Sequence, residues 1–219
     1  YTQLNPWEYS VQLGHRYGVK VYPSLDEPRV RDEAARKLRG TLATYRGRAL
    51  NVWASGADGV YLFNFFDPAS PLWRELGDPI ALRKLERHYF ASVRGVGGMP
   101  VPHRTFIHVQ TLNPASPIRV EPQKTARIEF RVGEDSSGKD EHVRVTLRLL
   151  FEQPPELKSL SAVLNGKQLP VGDVRAGWLE FDLQDSLPRQ GANVLELLCR
   201  QQGVKVFSLR DLYVAITPY

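Results

Sequence analysis

Two adjacent carboxylates, Asp26 and Glu27, stand in the loop Ser24-Leu25-Asp26-Glu27-Pro28, just after the segment Val19–Tyr22. A carboxylate can serve as general acid, general base or nucleophile when its surroundings tune it. It can equally favour the positive end of the helix that Pro28 introduces. Both readings stay open. Neighbouring side chains on a loop diverge, so these two do not form a cooperating pair; at best one of them is half of a pair. Asn64 follows the apolar run Val60–Phe63, where a polar group either meets a ligand or caps a loop. Asp67-Pro68 has the form of a turn start. Tyr22, Phe65 and Trp73 add aromatic planes near the same two segments.

These residues need elements to hold them. Asn5-Pro6 starts a helix expected to reach Arg16 and to stop near Gly18. Val19–Tyr22 is expected as a short strand ended by Pro23. A polar helical stretch is expected from Arg29 to Leu38. Leu42, Tyr45, Ala49, Val52 and Trp53 recur at helical spacing and predict a second helix, with Gly40 as a break or bend and Gly56 as its stop. Val60-Tyr61-Leu62-Phe63 is continuously apolar, as in a strand covered on both faces. Asp78-Pro79 then opens a helix with Leu82, Leu85, Tyr89 and Val93 on one side. The order helix, strand, helix, strand, helix predicts two parallel strands whose carboxyl ends share a face, with Glu27 and Asn64 on one cleft.

Beyond this the chain changes character. Gly95, Gly97, Gly98, Pro100 and Pro102 make residues 95–104 a linker. From Thr105 the pattern has period two: Ile128, Phe130 and Val132; Val143, Val145, Leu147 and Leu149; Leu179 and Phe181; Leu212, Val214 and Ile216. Asn165-Gly166 suits a two-residue hairpin turn. About eight strands with one wet face each imply two packed antiparallel sheets, a β-sandwich over residues 105–219 able to fold alone. Residues 133–139 read as a polar, mobile loop.

Composition narrows the function classes. Hydrophobic residues at 42% and charged residues at 24% of 219 describe an ordinary globular chain, and no run is long enough for a membrane span. The formal charge of +5 suggests nucleic acid, but the signs are interleaved, as in Arg127-Ile128-Glu129-Phe130-Arg131, so no phosphate-tracking patch is expected. The single cysteine, Cys199, excludes an intrachain disulfide and is expected as a small buried hydrophobe. The five histidines show no metal spacing. No phosphate loop or nucleophile elbow is present, so no metal and no cofactor is expected.

The run Arg46 to Phe65, with Ala57-Asp58-Gly59-Val60-Tyr61-Leu62-Phe63-Asn64, resembles the final helix–strand step of bacterial glycoside hydrolase-like barrel proteins. Glu75-Leu76-Gly77-Asp78-Pro79 with Leu82 and Tyr89 resembles their last barrel helix. Val163-Leu164-Asn165-Gly166 and the segment Leu187 to Leu195 are similar to jelly-roll domains appended to such enzymes. The resemblance implies that residues 1–94 are the last two βα units of a (β/α)8 barrel, incomplete in this chain and completed by a missing N-terminal part. It further implies a C-terminal portion of a carbohydrate-active hydrolase, inactive alone, in a periplasmic or secreted setting.

In many retaining barrel glycosidases the nucleophile ends strand seven. If Val19–Tyr22 is that strand, the matching loop holds the catalytic candidates Glu27 and Asp26. Substrate-binding candidates are then Tyr22, Asn64, Phe65, Asp67 and Trp73, with the aromatics able to stack on pyranose rings. The other reading from the same residues is a non-catalytic carbohydrate-binding or assembly module on a degenerate barrel scaffold.

Overall fold

The computed structural model describes residues 7–28, 30–93, 110–135, 143–199 and 206–219. The Asn5-Pro6 helix start, the linker 95–104, and His103, His108 and His142 lie outside them. Helix α1 (Trp7–Arg16) ends before Gly18, which takes a left-handed φ of 68°. The next strand is displaced from its expected place: β1 is Ser24–Leu25, not Val19–Tyr22. It pairs in parallel with β2 (Tyr61–Leu62), Ser24 opposite Tyr61 and Leu25 opposite Leu62. Pro23 does not end the ladder. Proline lacks a donor but keeps its carbonyl, which accepts from Tyr61 N at 3.0 Å. Val21 is held instead by Asp58, its N–H donating to Oδ2 at 2.8 Å and its carbonyl accepting from Asp58 N at 3.0 Å.

The crossover between the parallel strands carries two helices. α2 (Glu33–Arg39) starts later than the expected Arg29, because the Asp32 carboxylate accepts from Ala35 N at 2.8 Å and caps it there. Gly40 separates it from α3 (Leu42–Ala54), which Thr41 caps and which ends before Gly56 at φ 81°. Short helices α4 (Leu72–Glu75) and α5 (Pro79–Arg83) follow β2.

The expected last helix through Leu85, Tyr89 and Val93 is not formed. Residues Arg87–Phe90 are a strand, β3, with all four residues buried. It pairs antiparallel with the last strand, β12 (Phe207–Pro218), Tyr89 opposite Val214. Pairing with the edge of β12 satisfies the backbone of β3 on that side, and packing on the sheet faces, including α3 against His88, buries all four side chains.

β3 thus joins the sandwich sheet from within residues 1–94. That sheet runs β3-β12-β6-β10-β9, with β4 also on β12. Its further members are β4 (Ile118–Val120), β6 (Val143–Phe151), β9 (Asp173–Arg175) and β10 (Trp178–Asp182). The second sheet is β5-β11-β7-β8, made of β5 (Thr125–Val132), β7 (Leu160–Leu164), β8 (Lys167–Gln168) and β11 (Gly191–Cys199). The alternation predicted for β5, β6, β10 and β12 places Ile128, Phe130, Val132, Val145, Leu147, Leu149, Leu179, Phe181, Leu212, Val214 and Ile216 in the core. Asn165 and Gly166 turn β7 into β8 with φ of 51° and 85°. Cys199 is buried in the same core.

One apolar core runs through both parts, from Leu25, Leu50 and Val52 past Tyr89 and Val132 to Leu197 and Val214. Helix α3 lies close to β3: a Cβ on Gly47 would stand 2.2 Å from the His88 carbonyl oxygen. Two buried arginines reinforce the contact. Arg39 of α2 donates twice to Asp211 of β12, at 2.7 Å each, and once to the Ser92 carbonyl at 2.8 Å. Arg87 donates twice to Glu134 at 2.6 Å, and Tyr89 Oη donates to the same carboxylate at 2.5 Å. The polar loop expected from Gly133 therefore begins with two buried residues: Glu134 is fully enclosed as the partner of Arg87.

Candidate functional site

The loops after β1 and β2 emerge on the same side, as a parallel pair joined by crossover helices requires. Between them opens a cleft of about 810 Å³. Glu27 lines it from the β1 loop; Asn64, Phe65, Phe66 and Asp67 line it from the β2 loop. Tyr45 of α3 and Arg36 and Lys37 of α2 make the facing wall. The volume lies in the range of small-molecule sites.

Several of the lining residues are held by local contacts. Asn64 takes φ 53°, a left-handed value that asparagine tolerates better than most residues, and so turns the chain at the end of β2. Asp67 Oδ1 accepts from Ala69 N at 3.0 Å, and the Asp67 carbonyl accepts from Trp73 Nε1 at 2.6 Å. The loop's far end is anchored where Arg46 grips Glu75 at 2.8 and 3.1 Å. Phe65 packs edge-on between Tyr45 at 5.8 Å and Trp73 at 5.4 Å. Glu33 neutralises Lys37 at 3.2 Å on the α2 wall.

Asp26 and Glu27 are treated differently by the fold. The displaced strand β1 ends at Leu25, so Asp26 follows the strand end directly and Glu27 is two residues beyond it. Asp26 is buried; its carbonyl accepts from Arg48 Nη1 at 2.8 Å and its Oδ1 lies 3.7 Å from Arg48 Nη2. Glu27 is the one of the two that faces the cleft. Burial lowers the Arg48 guanidinium to about 10, against the favourable field of Tyr45. Among the described residues its buried Nε has no hydrogen-bond partner. The guanidinium sits 5.1 Å from the Tyr45 ring centroid. Burial raises the Tyr45 hydroxyl; Arg48 opposes the rise and the Glu27 charge adds to it. Glu27 and Tyr45, which line the cleft, are thus electrostatically linked to the buried Arg48 and Asp26 behind them.

Of the residues singled out in the sequence, Glu27, Asn64, Phe65 and Asp67 come together at the cleft. Trp73 stands behind Phe65. Tyr22 does not join them: its ring lies against Gly59, at the opposite end of β2. Sequence reasoning missed Tyr45, which its helical spacing assigned to the core, and Phe66, the neighbour of a named aromatic. It also missed the α2 wall, since a polar helix carries no local sign of what it faces. Among the described residues, no cluster of three or more histidine, cysteine or acidic side chains could hold a metal ion, and no helix is long and apolar enough to cross a membrane.

Fold and cleft together define an α/β unit, with a cleft at the carboxyl ends of its parallel strands, built onto a two-sheet antiparallel sandwich. No family model and no curated protein matches the sequence. Among solved structures, two of BuGH86 in complex with neoagarooctaose, one wild-type and one substituted, are similar over 60% of this chain, at 17% identity and a TM-score of 0.38. The chain spans 18% of the length of those structures.

Proposed function

We propose that this chain is the C-terminal portion of a carbohydrate-active hydrolase and that the cleft binds a glycoside, with Glu27 as its reacting carboxylate. The parallel pair β1–β2, with its crossover helices, would be the end of a (β/α)8 barrel whose remaining strands pair with it in the complete protein. The carrying observation is that Glu27 and Asn64, on loops from two different strands, line one cleft on the carboxyl side of the pair. Glycoside hydrolysis uses two carboxyl groups flanking the scissile bond. Asp67 brings a second carboxylate to the same cleft, and Asn64 supplies a hydrogen-bonding amide. Asp26, turned inward to Arg48, would hold the loop that presents Glu27.

The test is hydrolysis of a panel of polysaccharides by the complete protein, followed by reducing-end release. Glu27→Gln should lower the rate at least about a hundredfold, the scale of a lost acid–base group, while the circular dichroism spectrum stays unchanged. An unchanged rate removes Glu27 from the chemistry. Binding without hydrolysis by the wild type would favour the non-catalytic carbohydrate-binding reading.

A further inference from the structure

We infer that Phe66 is the stacking platform of the cleft, and that the ligand it takes is a pyranose unit presenting its C–H face. This rests on the carbohydrate reading of the site and extends it to a residue and a sugar class. Phe66 is 85% exposed, while its neighbour Phe65 is locked between Tyr45 and Trp73. A lone exposed apolar residue on a protein surface is ordinary. Phe66 differs by its place: it lines the cleft that also holds Glu27, Asn64 and Asp67.

Two further features support the role. Phenylalanine has no polar group, so its exposure serves no hydrogen bond. The left-handed turn at Asn64, two residues earlier, starts the loop that brings one aromatic down onto the helix and leaves the next in solvent. A pyranose is amphipathic in the matching way. Its axial C–H bonds carry partial positive charge and meet the negative π face of a ring. Its equatorial hydroxyls then point sideways, toward groups such as the Asn64 amide and the carboxylates of Glu27 and Asp67. Furanoses and open-chain polyols lack such a flat apolar face.

The experiment is affinity electrophoresis of the full protein through gels holding mixed-linkage β-glucan, xylan, galactomannan, agarose or pectin. Wild type is compared with Phe66→Ala, Phe66→Leu and Phe66→Tyr, each checked for an unchanged circular dichroism spectrum. Retardation of the wild type by at least one pyranose polymer is expected. Phe66→Ala should weaken it about tenfold, equivalent to about 1.4 kcal/mol. Phe66→Tyr should restore it, and Phe66→Leu should not. Equal retardation of Phe66→Ala and wild type overturns the platform and leaves the carbohydrate reading standing. Full rescue by Phe66→Leu also overturns it, because a plain apolar contact would then suffice. Retardation of the wild type by none of the polymers overturns both.

Discussion

Replacing Arg39 by methionine tests what joins the two halves of the molecule. Arg39 is fully buried and Asp211 is 1% exposed, so neither charge reaches water. The substitution removes two charge-assisted hydrogen bonds at 2.7 Å, the bond to the Ser92 carbonyl, and a guanidinium 4.3 Å from the Phe90 ring. Among the described residues, the Asp211 carboxylate then keeps the Leu212 N–H, at 2.9 Å, as its hydrogen-bond donor. Breaking a buried pair from one side costs about 3–5 kcal/mol, because the remaining charge is stranded. Replacing both partners, as Arg39→Met with Asp211→Asn, strands no charge and should recover more than half of that loss.

Proton linkage supplies a second readout. Burial already raises the Asp211 carboxyl, with Arg39 pulling it down. Without Arg39 it rises further, so the native variant binds the proton more tightly than its unfolded chain does. Its deficit relative to wild type should therefore shrink as pH is lowered from 7 toward 5. Urea unfolding of the whole chain, followed by tryptophan fluorescence across that range, measures both effects. A single-variant cost below about 1 kcal/mol, the level of a surface pair, or a deficit that does not change with pH, would refute the reasoning.

Gly47→Ala should destabilise by about 3 kcal/mol in urea unfolding, although alanine is the better helix former, because its Cβ would meet the His88 carbonyl; a gain in stability would show that α3 does not press on β3. Burial holds the His88 imidazole below its ordinary 6.5, with Glu86 opposing and Arg148 adding, so the unfolded chain takes the proton first. The stability due to the neutral ring is then complete above about 6.5 and falls as pH drops below it; His88→Gln should flatten that slope, and parallel slopes would refute the assignment. A chain starting at Gln110 lacks β3, Arg39 and Arg87, which leaves Asp211 and Glu134 without these partners. It should show no cooperative thermal transition by circular dichroism, and a cooperative β-type melt would establish the sandwich as autonomous.

Much of the fold was legible where local signals agreed. The apolar stripe of α3 with its Gly56 stop and the alternating strands with the Asn165-Gly166 turn each combine a period with a matching terminator. The run Val60–Phe63 was expected as a strand covered on both faces; it forms the two-residue β2, with Tyr61 52% exposed and none of the four residues fully buried. The parts that were not legible depend on distant partners. Arg87–Phe90 fits a helix by the spacing of Leu82, Leu85 and Tyr89, and only the free edge of β12 makes it a strand. β1 starts at Ser24 because Pro23 still accepts from Tyr61, a bond between residues 38 positions apart. Glu134 looked like loop polarity; its burial is set by Arg87, from before the linker. At the site, the topology of two parallel strands was enough to bring Glu27 and Asn64 together. It could not say that Phe65 would turn in and Phe66 out, since that depends on Tyr45 and Trp73 filling the space beside one ring.

The cleft and the sandwich are mechanically one object. Helix α2, which supplies the Arg36 and Lys37 wall, is held to β12 at both ends: Asp32 at its start accepts from Arg210 at 3.5 Å, and Arg39 in its last turn grips Asp211. Arg210 and Asp211 are consecutive, and consecutive side chains of a regular strand point to opposite faces. The pairing of β12 with β6 shifts register between Leu209 and Asp211, at the point where both residues must turn toward one helix. Bulges re-aim side chains in this way and are common beside functional sites. The wall of the cleft is thus positioned by an irregularity in the last strand of the chain, about 170 residues from the helix it holds, a span read from the separation of Arg39 and Asp211. The same strand serves both parts: β12 pairs with β6 in the sandwich sheet, and its Arg210 and Asp211 hold the helix that walls the cleft.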